Sequence, residues 1–68
     1  MNDSPTSSAS QSASTRQHLL DAARHCVRET GLAGATSREI TATAGVNLAA
    51  ITYHFGSKDE LIAEALFG

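Results

Sequence analysis

Ala44–Leu61 reads AGVNLAAITYHFGSKDEL. Two glycines, Gly45 and Gly56, punctuate it. Between them lies a run with room for about two helical turns, in which Thr52, Tyr53 and His54 stand side by side. A new helix signal then follows at Ser57. Asn47 is a good N-cap for a short helix over about Leu48 to Phe55. At 3.6 residues per turn, Ile51 and Phe55 share one face, while Leu48, Ala49, Thr52 and Tyr53 fall on the other. The second face holds small and polar residues with no acid–base pair among them. Such a segment is suited to being pressed against a surface.

Working outward, the same start device occurs three times. Ser14 with Gln17, Thr36 with Glu39, and Ser57 with Glu60 each spell S/T-x-x-E/Q. In this arrangement the hydroxyl accepts the N–H three residues on, and the acid or amide reaches back. Helix one is therefore predicted over about Thr15 to Thr30, with Leu19, Ala22, Ala23, Cys26 and Val27 as its apolar stripe. Gly31 suits the left-handed residue that ends it, and Ala33 to Ala35 form a connector. Helix two is expected over about Ser37 to Ala44, using Ile40 and Ala44 as core contacts and stopped by Gly45. Helix four follows Ser57 with Leu61, Ile62, Ala65 and Leu66. No strand pattern or repeat intervenes, so the class is all-α: a three-helix head with a helix-turn-helix, plus the start of a fourth helix.

The chain has 68 residues. Its opening, MNDSPTSSASQSAS, has almost no large apolar side chain to offset the entropy of ordering. Residues 1–13 are read as a disordered arm, and 14–68 as the folding unit. The helix-four pattern still runs at the end, leaving Leu66 and Phe67 uncovered, which is the expectation for a chain that continues into a further region. No segment approaches the roughly 20 apolar residues of a membrane span, and the start lacks the layout of a secretory signal. The single cysteine, Cys26, allows no internal disulfide, fits a reducing cytoplasm, and sits in the apolar stripe as a buried thiol.

The net charge of −2, taken alone, argues against a nucleic-acid partner, but its distribution matters more. The acidic excess lies in the arm (Asp3) and near the end (Asp59, Glu60, Glu64), and the middle is mildly basic. Catalysis has no visible equipment: no nucleophile–base pair, phosphate loop or metal set. His18, His25 and Cys26 lie at near-helical spacing, but no fourth ligand accompanies them and Cys26 points to the core, so neither metal nor cofactor is expected. Arg24, Arg28 and Glu29 read as an exposed face.

Two short helices joined by a glycine turn read as a helix-turn-helix over 36–55. Ile40, Val46 and Ile51 would fix the angle between them. Ala49 and Ala50 would keep the leading edge narrow enough for a major groove.

Here the residues are similar to a known family. TSREITATAGVNLAAITYHFGSKDEL, Thr36 to Leu61, resembles the DNA-binding signature of the TetR family of bacterial transcriptional repressors. TRQHLLDAARHCVRETG, Thr15 to Gly31, fits the family's first helix, so the resemblance covers about Thr15 to Phe67. AGV, YHF and GSKDEL at family spacing are specific together. The resemblance implies a DNA-binding head that precedes a larger all-α region, absent here, which forms a homodimer and binds a small-molecule inducer. It implies that Thr36, Ser37 and Arg38 grip phosphate at the start of helix two. Asn47, Leu48, Ala49, Ala50 and Thr52 would face the bases of a near-palindromic double-stranded operator. Tyr53, His54 and Lys58 would meet phosphate.

Some positions depart from the family. Thr41 stands where alanine is usual, so its hydroxyl needs a carbonyl, for instance four residues back. Leu48 and Ala49 replace a polar residue and a glycine of many members, and Thr52 replaces an aromatic. With no Arg or Gln on the face, direct readout would rest on Asn47, Thr52 and apolar contact with thymine methyls.

Bland alternatives stand beside these roles. Tyr53 could pack inward, though the helical period turns it outward. His54 could serve as a charge at a helix C-terminus, and Arg38 and Lys58 could be ordinary solvated charges. Two function classes follow. One is sequence-specific DNA binding for transcriptional control. The other is a small helical protein-interaction module that never meets DNA.

Overall fold

A computed structural model describes residues 8–68, and side chains from residue 13 onward. It contains four helices: α1 (Ser8–Gly34), α2 (Ser37–Ala44), α3 (Ala49–Phe55) and α4 (Lys58–Phe67). There is no strand among the described residues. α1 packs against α2 and α4, and α3 closes onto α4.

Helix α1 begins at Ser8 and so overlaps the expected arm over 8–13; residues 1–7 of that arm lie outside the described residues. Ser14 is consequently an interior helical residue and no N-cap. The physical reason is propagation. Once the buried stripe nucleates α1, each added residue fixes one backbone position for one hydrogen bond. Ala9, Gln11 and Ala13 are good helix formers, and no glycine or proline interrupts 8–13.

At its other end α1 kinks at Gly31 (φ 78°, ψ 174°), the residue expected to end it, and one further helical turn follows. That turn closes through the Ala35 N–H donating to the Leu32 carbonyl at 3.2 Å. Ala35, expected as plain connector, is fully buried as a result.

The caps of α2 and α4 form by the expected hydroxyls. Thr36 Oγ1 accepts the Glu39 N–H at 3.1 Å, and Ser57 Oγ accepts the Glu60 N–H at 3.2 Å. The return half of the box is not used at Thr36, whose own N–H donates to the Gly34 carbonyl at 3.0 Å.

Leu19 of α1, Ile40 of α2 and Leu61 of α4 are the fully buried large side chains, and Ile51 brings α3 to the same core. Val46 is half-buried against that core, plugging the turn between α2 and α3. The α1 stripe is wider than its period suggested: Leu20 is also buried, because α1 meets neighbours on two sides. Cys26 is buried as expected, its sulfur 3.6 Å from Thr43 Oγ1. Thr41 is buried too, and its hydroxyl donates to the Ser37 carbonyl, four residues back, at 2.8 Å.

Gly45 ends α2 in the left-handed region (φ 73°, ψ 32°), and its N–H reaches the Thr41 carbonyl at 2.9 Å. A Cβ placed there would meet nothing within 4 Å, so a substitution is opposed by backbone strain alone. Gly45→Ala should therefore lower stability by about 1–2 kcal/mol in urea unfolding, and Gly45→Asn by less. Equal effects of the two would show that packing, and not the angle, governs the turn.

Candidate nucleic-acid interface

The start of α2 presents Thr36 and Arg38 to solvent, with Ser37 half-buried. Thr36 holds extended backbone (φ −77°, ψ 161°), and its hydroxyl oxygen is engaged as the cap. Arg38 makes no ion pair among the described residues.

Asn47 lies in the turn just ahead of α3; its Oδ1 accepts the Ala49 N–H at 2.8 Å and its carbonyl accepts the Ala50 N–H at 3.0 Å. Leu48, Ala49, Thr52 and Tyr53 are exposed, so the outward face expected from the period is present. Ala50 differs from the other base-facing candidates. It is half-buried and packed on the core, which makes it a spacer between α3 and the domain beneath.

Tyr53 is 79% exposed, the orientation expected for it. Its ring meets His54 edge-on with centroids 4.8 Å apart, and His54 in turn lies 6.5 Å from the Phe55 ring. The three aromatic side chains thus form a short chain leading from solvent toward the core at the end of α3.

A residue given no role in the sequence, Arg16, fastens this end. The Arg16 guanidinium sits over the Phe55 ring, 4.8 Å from its centroid, and pairs with Glu64 of α4. Arg16 therefore touches α3 and α4 from α1. No local pattern could reveal this, because all three partners are brought together by tertiary packing. Both charged side chains are about two-fifths exposed, so the pair itself is weak. With the cation–π contact added, Arg16→Ala should cost about 1–2 kcal/mol in urea unfolding. Arg16→Lys should retain part of that, since it keeps the charge beside Glu64.

Arg24, expected as part of an exposed face, is half-buried and donates from Nε to the Ala65 carbonyl at 2.7 Å. That bond satisfies a backbone group in the last turn of α4. Lys58, first residue of α4, is half-buried. It lines a shallow groove with Leu32, Ile62, Leu66 and Phe67, so its stem is covered by apolar neighbours. No group of three or more metal-ligating side chains occurs among the described residues. No described helix is long and apolar enough to cross a membrane.

Two short helices joined at a left-handed glycine turn, the second with Ala49, Thr52 and Tyr53 exposed, define a helix-turn-helix of the DNA-binding class. The model of the bacterial regulatory proteins, tetR family, matches residues 19–65, and the chain belongs to that family.

Among curated proteins it is similar to the HTH-type transcriptional repressor AcnR of Corynebacterium glutamicum. The two are 41% identical over 59 residues, covering 87% of this chain and 28% of that protein. It is also similar to the HTH-type transcriptional dual regulator CecR of Shigella flexneri, at 52% over 46 residues, covering 68% of this chain and 20% of that protein. A third relative is the HTH-type transcriptional regulator BetI of Paraburkholderia phytofirmans, at 38% over 47 residues, covering 69% and 24% respectively. The chain spans about a quarter of the length of these relatives. No solved structure matches it.

Proposed function

We propose that the chain is the DNA-binding head of a cytoplasmic, non-catalytic transcriptional regulator that recognises a near-palindromic operator as a homodimer. In this reading it represses transcription, and a small molecule bound in a region outside this chain relieves repression. The observation that carries it is the exposed α3 face, small at Ala49, with Thr52 and Tyr53 on the same side, on a helix fixed by Asn47 and Gly45. The roles that name these relatives, repressor for AcnR and dual regulator for CecR, support regulation as the setting.

Phosphate contacts fall to Thr36, Ser37, Arg38, Tyr53, His54 and Lys58, and base contacts to Asn47, Leu48, Ala49 and Thr52. Ala50 supports them from beneath. In the dimer the two copies of α3 would enter major grooves about 34–36 Å apart, or a multiple of that. Footprinting of a form carrying the dimerising region should then show two half-sites related by two-fold symmetry. A single asymmetric footprint would overturn the paired geometry.

A second reading, a protein-interaction module, draws support from the exposed Leu66 and Phe67 beside the Lys58 groove. Titration with duplex DNA at two salt concentrations separates the two. A DNA-binding head loses affinity steeply as salt rises, because bound phosphates release counterions. An interaction module shows no duplex binding at either concentration.

A further inference from the structure

We infer that the exposed side of α3 recognises thymine through its C5-methyl group, with Leu48 as the residue that senses it; this rests on the DNA-binding reading above. Leu48 is a large apolar side chain left 50% exposed in an isolated domain. The core is packed from this region by Val46, Ala50 and Ile51, so Leu48 is not needed there. Ala49 beside it is exposed and adds a methyl, and Thr52, one turn on, adds another methyl and a hydroxyl. From Asn47 to Tyr53 there is no Arg, Lys, Gln, Asp or Glu. The forked grip on guanine by Arg, and the acceptance of the cytosine amino group by a carboxylate, are therefore absent from this face.

Asn47 narrows the choice further. A two-pronged grip on adenine needs Oδ1 and Nδ2 side by side on the base edge. Here Oδ1 holds the Ala49 N–H at 2.8 Å, and turning it to a base would leave the first N–H of α3 without that acceptor. What Asn47 has left for a base is the donor end of its amide. A base edge that matches apolar side chains together with a donor carries a methyl group and an acceptor. Thymine, with its C5-methyl and O4, is that base. Guanine would satisfy the donor but gives Leu48 nothing to touch. Because the methyl itself is sensed, the same group on C5 of cytosine should be sensed as well.

A form of the chain that carries the dimerising region is first used to select its preferred duplex from a random pool. That duplex is then resynthesised with deoxyuridine replacing thymine one position at a time, which removes the methyl and nothing else. Affinity should fall about fourfold at a thymine read by Leu48, the factor expected for one buried methyl-sized group. Replacing the same thymine by cytosine should weaken binding, and 5-methylcytosine should recover about that factor. Leu48→Ala, a change at an exposed side chain that leaves the fold intact, should bind the thymine and deoxyuridine duplexes alike.

Equal binding of the two duplexes by the unmodified chain at every position would overturn the inference while leaving DNA binding standing. So would a thymine preference that survives Leu48→Ala undiminished. A chain that enriches no duplex and binds none would overturn the DNA-binding reading itself, and the inference with it.

Discussion

Leu61→Ala should lower the stability of the chain by about 2–5 kcal/mol, a large share of what it holds. Leu61 is fully buried on α4, in the core it shares with Leu19 of α1 and Ile51 of α3. Truncating such a leucine removes its transfer free energy and leaves a cavity that neighbours fill only in part, at a cost of about 2–5 kcal/mol. Domains hold roughly 0.05–0.15 kcal/mol per residue, so one with ~60 ordered residues has about 3–9 kcal/mol to lose from. Urea titration followed by far-UV circular dichroism reads the result directly. Leu66→Ala on the same helix is the comparison, because Leu66 is 41% exposed and should shift the midpoint little. A smaller shift for Leu61 than for Leu66 would mean that α4 docks by its other side.

The second large effect separates reading from positioning. Thr52 is exposed on α3, and Thr52→Ala should cost about 1–3 kcal/mol on the preferred duplex and far less on random DNA. In the proposed interface Lys58 meets phosphate through its charge, so Lys58→Ala should weaken binding to every sequence alike and lower the salt slope by about one unit. Since the Lys58 stem also lines the groove with Leu32 and Phe67, its loss alters packing as well as charge. Lys58→Met keeps the stem and removes the charge, and should reproduce the change in slope. The ratio of specific to random affinity decides between the roles. A ratio altered by Lys58→Ala and untouched by Thr52→Ala would reverse the assignment.

Much of this fold is written in local chemistry. The Thr36 and Ser57 caps and the Gly45 turn are properties of a few neighbouring residues, and each forms where its residues stand. The Thr41 hydroxyl had to find a carbonyl, and finds Ser37. The exposure of Leu48, Ala49, Thr52 and Tyr53 follows from one helical period.

What local chemistry could not show depends on distant neighbours. Ser14 and Gln17 spell a capping box, yet helix continues through them, because a start signal competes with a growing helix and has no veto over it. Ala35 looks like a linker until the core closes over it. Ala50 sits on the reading helix but leans inward, a difference that a seven-residue helix is too short to make plain by periodicity. Arg24 was expected on an exposed face and Arg16 was given no role, and in the fold both become ties to α4.

The tie from Arg24 also has a kinetic side. Arg24 and the Ala65 carbonyl are 41 positions apart, so their bond closes a ring through the whole of α2 and α3. Helix α2 and the Gly45 turn can form from near neighbours, whereas this closure must wait for the intervening chain to be drawn in and its loop entropy to be overcome. The helix-turn-helix is therefore an arc inside a ring, and the clasp that shuts the ring lies outside the motif. The motif's shape is thus held in part by a contact that neither of its own helices makes.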